Sequence, residues 1–331
     1  MKLTDLLPAI WDEPIFTGKP VSRETLLSLL DVAVWAPNHH LREPWTFTWM
    51  ESARNAEGQA PGMLWIGMPA GGKPRHEADD EAAVWCLVHN LRIAAREQGI
   101  GVRLEKAPAD RPEAAGRPEK EKVVAVLAIG YADMTPLANA AFSSLIRERR
   151  TVRQFADRKV EAELVRELLQ ACTPQASAGA GDASRPWRVI EAGSDSERGA
   201  LADLMMAQLK DMLAYKIVPG KIKQVFRQKT FAIPFNLIFV LEDSRAKEAD
   251  GLGEVCGVMQ GFQLAAWERG LGMTWSSSEQ LKYPDFARGL GLAPGESVLG
   301  ILHMGYAAKV PKARPRTPAE KKLRFVPSER N

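Results

Sequence analysis

The chain has 331 residues, 45% of them hydrophobic and 26% charged, a balance that excludes a disordered or collagen-like polymer and fits one large globular domain or two of ordinary size. Lysine plus arginine (44) against aspartate plus glutamate (41) leaves a formal charge of +3, too small to make nucleic acid or a membrane the main partner. Cys86, Cys172 and Cys256 lie far apart without CxxC or Cys/His spacing, so neither a disulfide framework nor a zinc site is indicated.

The first stretch, MKLTDLLPAIWDEPIF, has acids and prolines where a leader needs an unbroken apolar core, and nowhere do about 18 apolar residues run together. A soluble, cytoplasmic protein is the expectation. Apolar spacing then predicts a helix over 23–34, followed by a polar loop and a short strand opening at Pro44-Trp45. An apolar run at 63–68, a long helix over 80–98 ending at a capping glycine, and a strand at 123–130 complete the first half. Asp133–Phe142, centred on TPLANAA, reads as a linker.

The second half repeats this string: helix 161–171, strand 187–191 after Pro186, apolar run 235–241, long helix 251–269 and strand 298–305. Val21–Glu24 with Leu29-Leu30 matches Val160–Glu163 with Leu168-Leu169 at an offset of 139, and Pro44-Trp45 matches Pro186-Trp187 at 142. Ala94-Ala95 with Glu97, Gly99 and Gly101 matches Ala265-Ala266 with Glu268, Gly270 and Gly272 at 171, and Gly130-Tyr131 matches Gly305-Tyr306 at 175. Ordered matches whose offset grows in steps are the mark of a tandem duplication with insertions. The largest insertion falls in Ala200–Lys229, where Leu201, Leu204, Met205, Leu209, Met212 and Leu213 suit an amphipathic helix.

The expected fold class is α+β: two tandem copies of a helix-flanked, mostly antiparallel sheet. The expected divisions are a first copy at 1–133, a linker at 134–143, a second copy at 144–310 and a basic tail at 311–331 that wraps or frays.

At three motifs the sequence resembles the FMN-dependent nitroreductase family. IRERRTVRQF looks like its phosphate-binding signature, WAPNHHLREPWTF like its flavin-ring loop, and GYAAKVPKARP like its closing strand and the bases after it. The resemblance covers roughly residues 15–133 and 144–316. It implies FMN as cofactor, NAD(P)H as co-substrate, and a site built between two subunits, here between two copies. No side chain is then expected to be catalytic, because flavin N5 carries the chemistry.

Phosphate needs convergent donors, and arginine's planar fork suits it. Arg149, Arg150, Thr151 and Arg153 supply them within five residues, and Lys312 and Arg314 after the last strand can close the same site. In the first copy the matching positions are Ile10, Trp11, Asp12 and Pro14, with Leu137 and Asn139 for the later pair, so every donor is gone and a carboxylate repels. The ring loop is asymmetric the other way. Pro37, Asn38, His39 and His40 can hydrogen-bond the polar edge of the ring, whereas the second copy has Ala176–Gly179. One composite flavin site is expected, with the other dismantled and the chain a monomer.

Weaker candidates are Arg227, placed by the resemblance near the flavin pyrimidine, and Trp275, Ser276 and Ser277 beside the ring. A solvated basic face and a core tryptophan are the competing readings. His303, alternating with apolar neighbours, reads as a hydrogen-bonded core histidine, and His76 and His89 have no ligand spacing. The expected reaction is NAD(P)H-driven ping-pong reduction of a nitroaromatic, quinone or similar small acceptor. The alternatives are a specialised oxidase or dehalogenase on the same fold, or a non-catalytic flavin-binding or interaction protein.

Overall fold

The computed structural model describes residues 1–51, 54–55, 58–59, 61–71, 74–105, 120–137, 141–174, 185–209, 219–244, 251–278, 281 and 283–326. The first half contains α1 (Leu3–Leu6), α2 (Arg23–Ala33), β1 (Thr46–Met50), the short pair β2 (Arg54–Asn55) and β3 (Gly58–Gln59), β4 (Gly62–Pro69), α3 (Pro74–Glu97), β5 (Ile100–Glu105) and β6 (Glu121–Tyr131). The second contains α4 (Phe142–Glu148), α5 (Ala162–Cys172), β7 (Trp187–Ala192), α6 (Asp195–Leu209), α7 (Gly220–Phe231), β8 (Phe235–Glu242), α8 (Gly251–Glu268), β9 (Leu271–Ser276), α9 (Pro284–Gly289) and β10 (Glu296–Tyr306), and β11 (Leu323–Val326) follows.

Local chemistry explains the boundaries. Ser22 caps α2 by accepting from the Thr25 N–H at 3.1 Å, and Leu26, Leu29, Leu30 and Ala33 give that helix its buried face. Gly99 (φ 70°) and Gly270 (φ 79°) follow α3 and α8 in the left-handed conformation that ends a helix without Cβ strain. The insert expected as one amphipathic helix forms α6 and α7; Met212 and Leu213 lie outside the described residues.

The repeat is visible in strand register. The sheets run β11-β1-β4-β6-β5 and β7-β8-β10-β9, so four strands of the first match the second in order. Ile100 pairs with Tyr131 as Leu271 pairs with Tyr306. The β4/β6 ladder skips Val124 and the β8/β10 ladder skips Leu299, placing the same bulge at the same point. Even the isolated bridges correspond: Phe16 with Ala132, and Phe155 with Ala307.

The long helices α3 and α8 lie side by side at the centre, as their apolar stripes predict. Cys86 Sγ approaches Cys256 O at 3.7 Å, and Gln260 Nε2 donates to Asn90 Oδ1 at 2.8 Å. Contacts that advance together along both helices mean that the two run in the same sense. Leu87 and Leu91 are buried here with Val255, Met259 and Phe262 in one cluster drawn from both halves.

The tail wraps, and its described part adds a strand that the sequence does not announce. After Pro311 it crosses to the first half, where Ala319 N donates to Asp31 Oδ1 at 2.8 Å, and β11 adds parallel to β1 with Leu323 opposite Phe47. The fifth strand of the first sheet therefore comes from the far end of the chain. No described helix is long and apolar enough to cross a membrane.

Candidate functional site

A cleft of about 460 Å³ opens where the halves meet. Its floor is set by the end of α4. The chain leaves the helix at Arg149 (φ −55°, ψ 132°), Val152 N donates to Met273 O at 2.8 Å, and the Val152 side chain is buried against β9 over Gly272. Extended backbone alternates its side chains, so Thr151 and Arg153 face away from Val152 and line the cleft with Arg149 and Arg150. Lys312, Arg314 and Arg316 reach it from the tail at the same two-residue spacing.

These cations lack a matching set of anions. Arg149 is only 6% exposed and its Nε has no hydrogen-bond partner. Burial first, then repulsion from Arg316 and Arg150, pushes its pKa down to about 10 although the field of Cys86 opposes this. Arg316 is lowered by burial while Glu43 raises it, and its Nε is also unpartnered. The Arg150 and Arg316 guanidiniums stand 5.4 and 5.2 Å from the Trp35 ring centre. A buried guanidinium with an orphaned donor fits an incoming dianion such as a phosphate monoester.

The opposite wall is the segment Pro37–Leu41 of the first half. His40 (φ 53°), Leu41 (φ 57°) and Glu43 (φ 48°) all adopt left-handed backbone, which costs about 1 kcal/mol or more for each side-chain-bearing residue. Three side chains hold this strained turn. Asn38 Oδ1 accepts from Glu43 N at 3.1 Å and its Nδ2 donates to Ala36 O at 3.2 Å. Arg42 clamps onto α3 through Asp80 at 2.7 Å and His76 Nδ1 at 2.6 Å. Glu43 accepts from the tail at Thr317 N, 3.1 Å, and meets the Lys322 ammonium at 3.9 Å. His39 and His40 stack edge to face at 4.2 Å.

Trp275 and Ser277 also line the cleft; Ser276 does not, and pairs with Ile301 inside the sheet. The Trp275 indole lies directly over Gly300, where a Cβ would collide with its Nε1. Ser277 Oγ meets Asp79 Oδ1 at 2.7 Å. Arg227 is a correction: it sits on α7, paired with Asp203 of α6 at 2.5 and 2.9 Å, and does not line the cleft. The Asp203 carboxylate of the insert satisfies it, so it has no need of a ligand. His303 is a core residue, bonded to Asn236 Oδ1 at 2.7 Å and held neutral by burial. Ala176–Gly179 and Asn139 lie outside the described residues.

Trp35, Asp79, Gln263, Thr274 and Arg316 line the cleft without having been singled out from sequence. Arg316 carried a signal, as the third base of the Lys312-x-Arg314-x-Arg316 alternation, and Trp35 opens the WAPNHHLREPWTF motif.

Fold and cleft together define a duplicated α+β protein with an arginine-floored cleft shared by its halves. The family model described as "Nitroreductase family" matches residues 15–65 and 146–306, more than half of the chain. The chain belongs to the nitroreductase family and is an oxidoreductase of that type. It is similar to the Bacillus subtilis protein YfhC, provisionally named an NAD(P)H nitroreductase, with 26% identity over 54% of this chain and 91% of that protein. A nitroreductase-like family protein from Bacillus cereus is 31% identical over 58% of this chain and 98% of its own, with a TM-score of 0.49. The FMN- and NADPH-dependent nitroreductase NfnB from a Sphigopyxis strain is 19% identical, covering 53% and 96%, with a TM-score of 0.40.

Proposed function

We propose that this chain is an FMN-dependent oxidoreductase with one composite site, using NAD(P)H to reduce a nitroaromatic, quinone or similar small acceptor. The observation that carries the reading is that the Arg149–Arg153 segment of the second half and the Pro37–His40 loop of the first line one cleft of adequate volume. Arg149, Arg150, Thr151, Arg153, Lys312, Arg314 and Arg316 hold the phosphate, and His39 and His40 face the polar part of the ring. Asn38 fixes the turn that presents them, through its bonds to Ala36 and Glu43. Trp275 forms a wall for the ring.

FMN, when bound, supplies the redox centre, accepting hydride at N5 and passing electrons on. The protein's own contribution is to bind, to orient, and to keep cationic groups around the site, which favours the negatively charged reduced state. Reductant and acceptor use the same opening in turn. The chain is a monomer of two copies, divided near the 134–143 linker, and acts in a reducing compartment such as the cytoplasm. Its three cysteines are free and buried, with burial raising Cys86 to about 12 and holding the others well above the usual thiol range.

The test is the absorption spectrum of the purified protein, then anaerobic titration with NADH and with NADPH. About one FMN per chain, bleached by one nicotinamide, is expected. A bound flavin that no nicotinamide reduces would favour the non-catalytic binding protein.

A further inference from the structure

The internal repeat pairs the cleft with a second, smaller cavity of about 170 Å³. Trp11 in its wall corresponds to Arg150 at an offset of 139, and Arg92 and Leu104 correspond to Gln263 and Trp275 at 171, all three counterparts lining the cleft. Loss of the phosphate donors has not closed this second space. It is too small for a phosphorylated tricyclic cofactor but several times the roughly 30 Å³ share of one water molecule.

Two of its polar side chains have atoms without partners among the described residues. His89 is 2% exposed and neither ring nitrogen is hydrogen-bonded; Arg92 Nε is buried and equally alone. Burial holds His89 far below its ordinary pKa, to about 3, so it stands neutral with one donor and one acceptor to offer. Each such orphan is destabilising unless something in the cavity meets it. Among the described residues Arg92 has no ion-pair partner, only the Trp11 ring 5.6 Å away and the longer-range field of Glu13. Glu254, also in the wall, is engaged at Oε1 by the Trp187 indole at 2.7 Å. No ion pair joins Glu254 to Arg92 among the described residues, so a single ligand carboxylate can meet Arg92, and the charge that Glu254 keeps disfavours a second.

The walls favour a flat body. Trp11, Trp85 and Val88 supply apolar surface, and Gly257 on α8 lets them approach, since a Cβ there would press on Trp11 and His89. From these features we infer that the cavity is a second ligand site, for a small planar monocarboxylate whose carboxylate meets Arg92 and whose apolar body lies against Trp11 and Trp85. The site is separate from the cleft and does not depend on what the cleft binds.

Benzoate is the probe, with benzyl alcohol as its uncharged analogue. The readout is the indole N–H resonances of Trp11 and Trp85 in the protein as isolated, assigned with Trp11→Phe and Trp85→Phe, because these report the cavity even if benzoate also enters the cleft. Saturable benzoate shifts of both signals are expected, at least tenfold weaker in Arg92→Met and partly restored in Arg92→Lys. Benzyl alcohol should bind at least tenfold more weakly to the unaltered protein, a comparison that decides even if Arg92→Met fails to fold. Unmoved indoles at about 20 mM benzoate, which would nearly fill a site with a dissociation constant of about 1 mM, would overturn the proposal. So would equal shifts in Arg92→Met, or equal binding of the alcohol.

Discussion

Arg149 holds a nearly inaccessible charge that the described residues do not neutralise, and two further arginines press on it. Such a residue is set for ligand at the expense of the empty protein. Arg149→Met should therefore weaken FMN by about tenfold to a hundredfold, from a charge-assisted contact of about 1.5–3 kcal/mol. The flavin-free protein should melt no lower than before, because a buried repulsive charge has gone. Flavin fluorescence titration and thermal melting together check this; a large fall in melting temperature with unchanged flavin affinity would make Arg149 structural. His39→Ala should instead change the rate of reduction by NAD(P)H more than the dissociation constant, and Arg153→Ala the reverse. His303 gives a pH dependence of known sign. Burial lowers it from 6.5 to about 4, so between those values the unfolded chain takes up a proton that the folded chain refuses. Stability should therefore fall as pH drops from about 6.5 towards 4, and His303→Gln should flatten part of that fall in urea unfolding at pH 7 and pH 5.

Elements with a strong local signal were legible in the sequence, and those made by pairing were not. The helix α2 follows from its apolar spacing, and α8 from its apolar spacing and the glycine at its end. The strands β5 and β9 were not read, because each begins directly after its helix's glycine, with no polar turn to separate it. β11 has no internal signal at all: its four residues are half-buried, come from a basic tail and gain strand form only against β1. In the site, Arg149, Arg150, Thr151 and Arg153 stood out as donors crowded into one segment, whereas Gln263 lies in the apolar run of α8, where nothing distinguishes wall from core. Arg227 misled because a surface ion pair between helices leaves no trace in spacing. The tail also locks the loop: Glu43, 8% exposed, takes Thr317 N and lies beside Lys322, whose ammonium donates to the Glu43 carbonyl. Glu43→Ala should release this strap. Faster amide exchange across 317–326 and several-fold weaker flavin binding are expected; a loop and tail that exchange as before would show that β11 pairing alone suffices.

At the scale of the molecule, duplication changes what a substitution can do. In a dimer of identical subunits each change alters both symmetric sites, but here Trp11, Asp12 and Pro14 belong to one half-site and Arg150, Thr151 and Arg153 to the other. One site can lose its phosphate donors while its counterpart keeps them, and each ring loop can diverge alone. The interface that would join two subunits is internal: α3 and α8 bury their stripes on each other, and β11 from the second half completes the first sheet. A single chain thus carries both walls of the cleft. The expectation is one FMN per chain in a species of single-chain mass, unchanged on dilution, by light scattering with in-line absorbance at the flavin band. Two flavins per chain would mean that the smaller cavity still accepts the cofactor despite Trp11 and Asp12. A flavin lost as a dimer dissociates would mean that the cleft borrows a wall from another molecule, and the intrachain site would have to be abandoned.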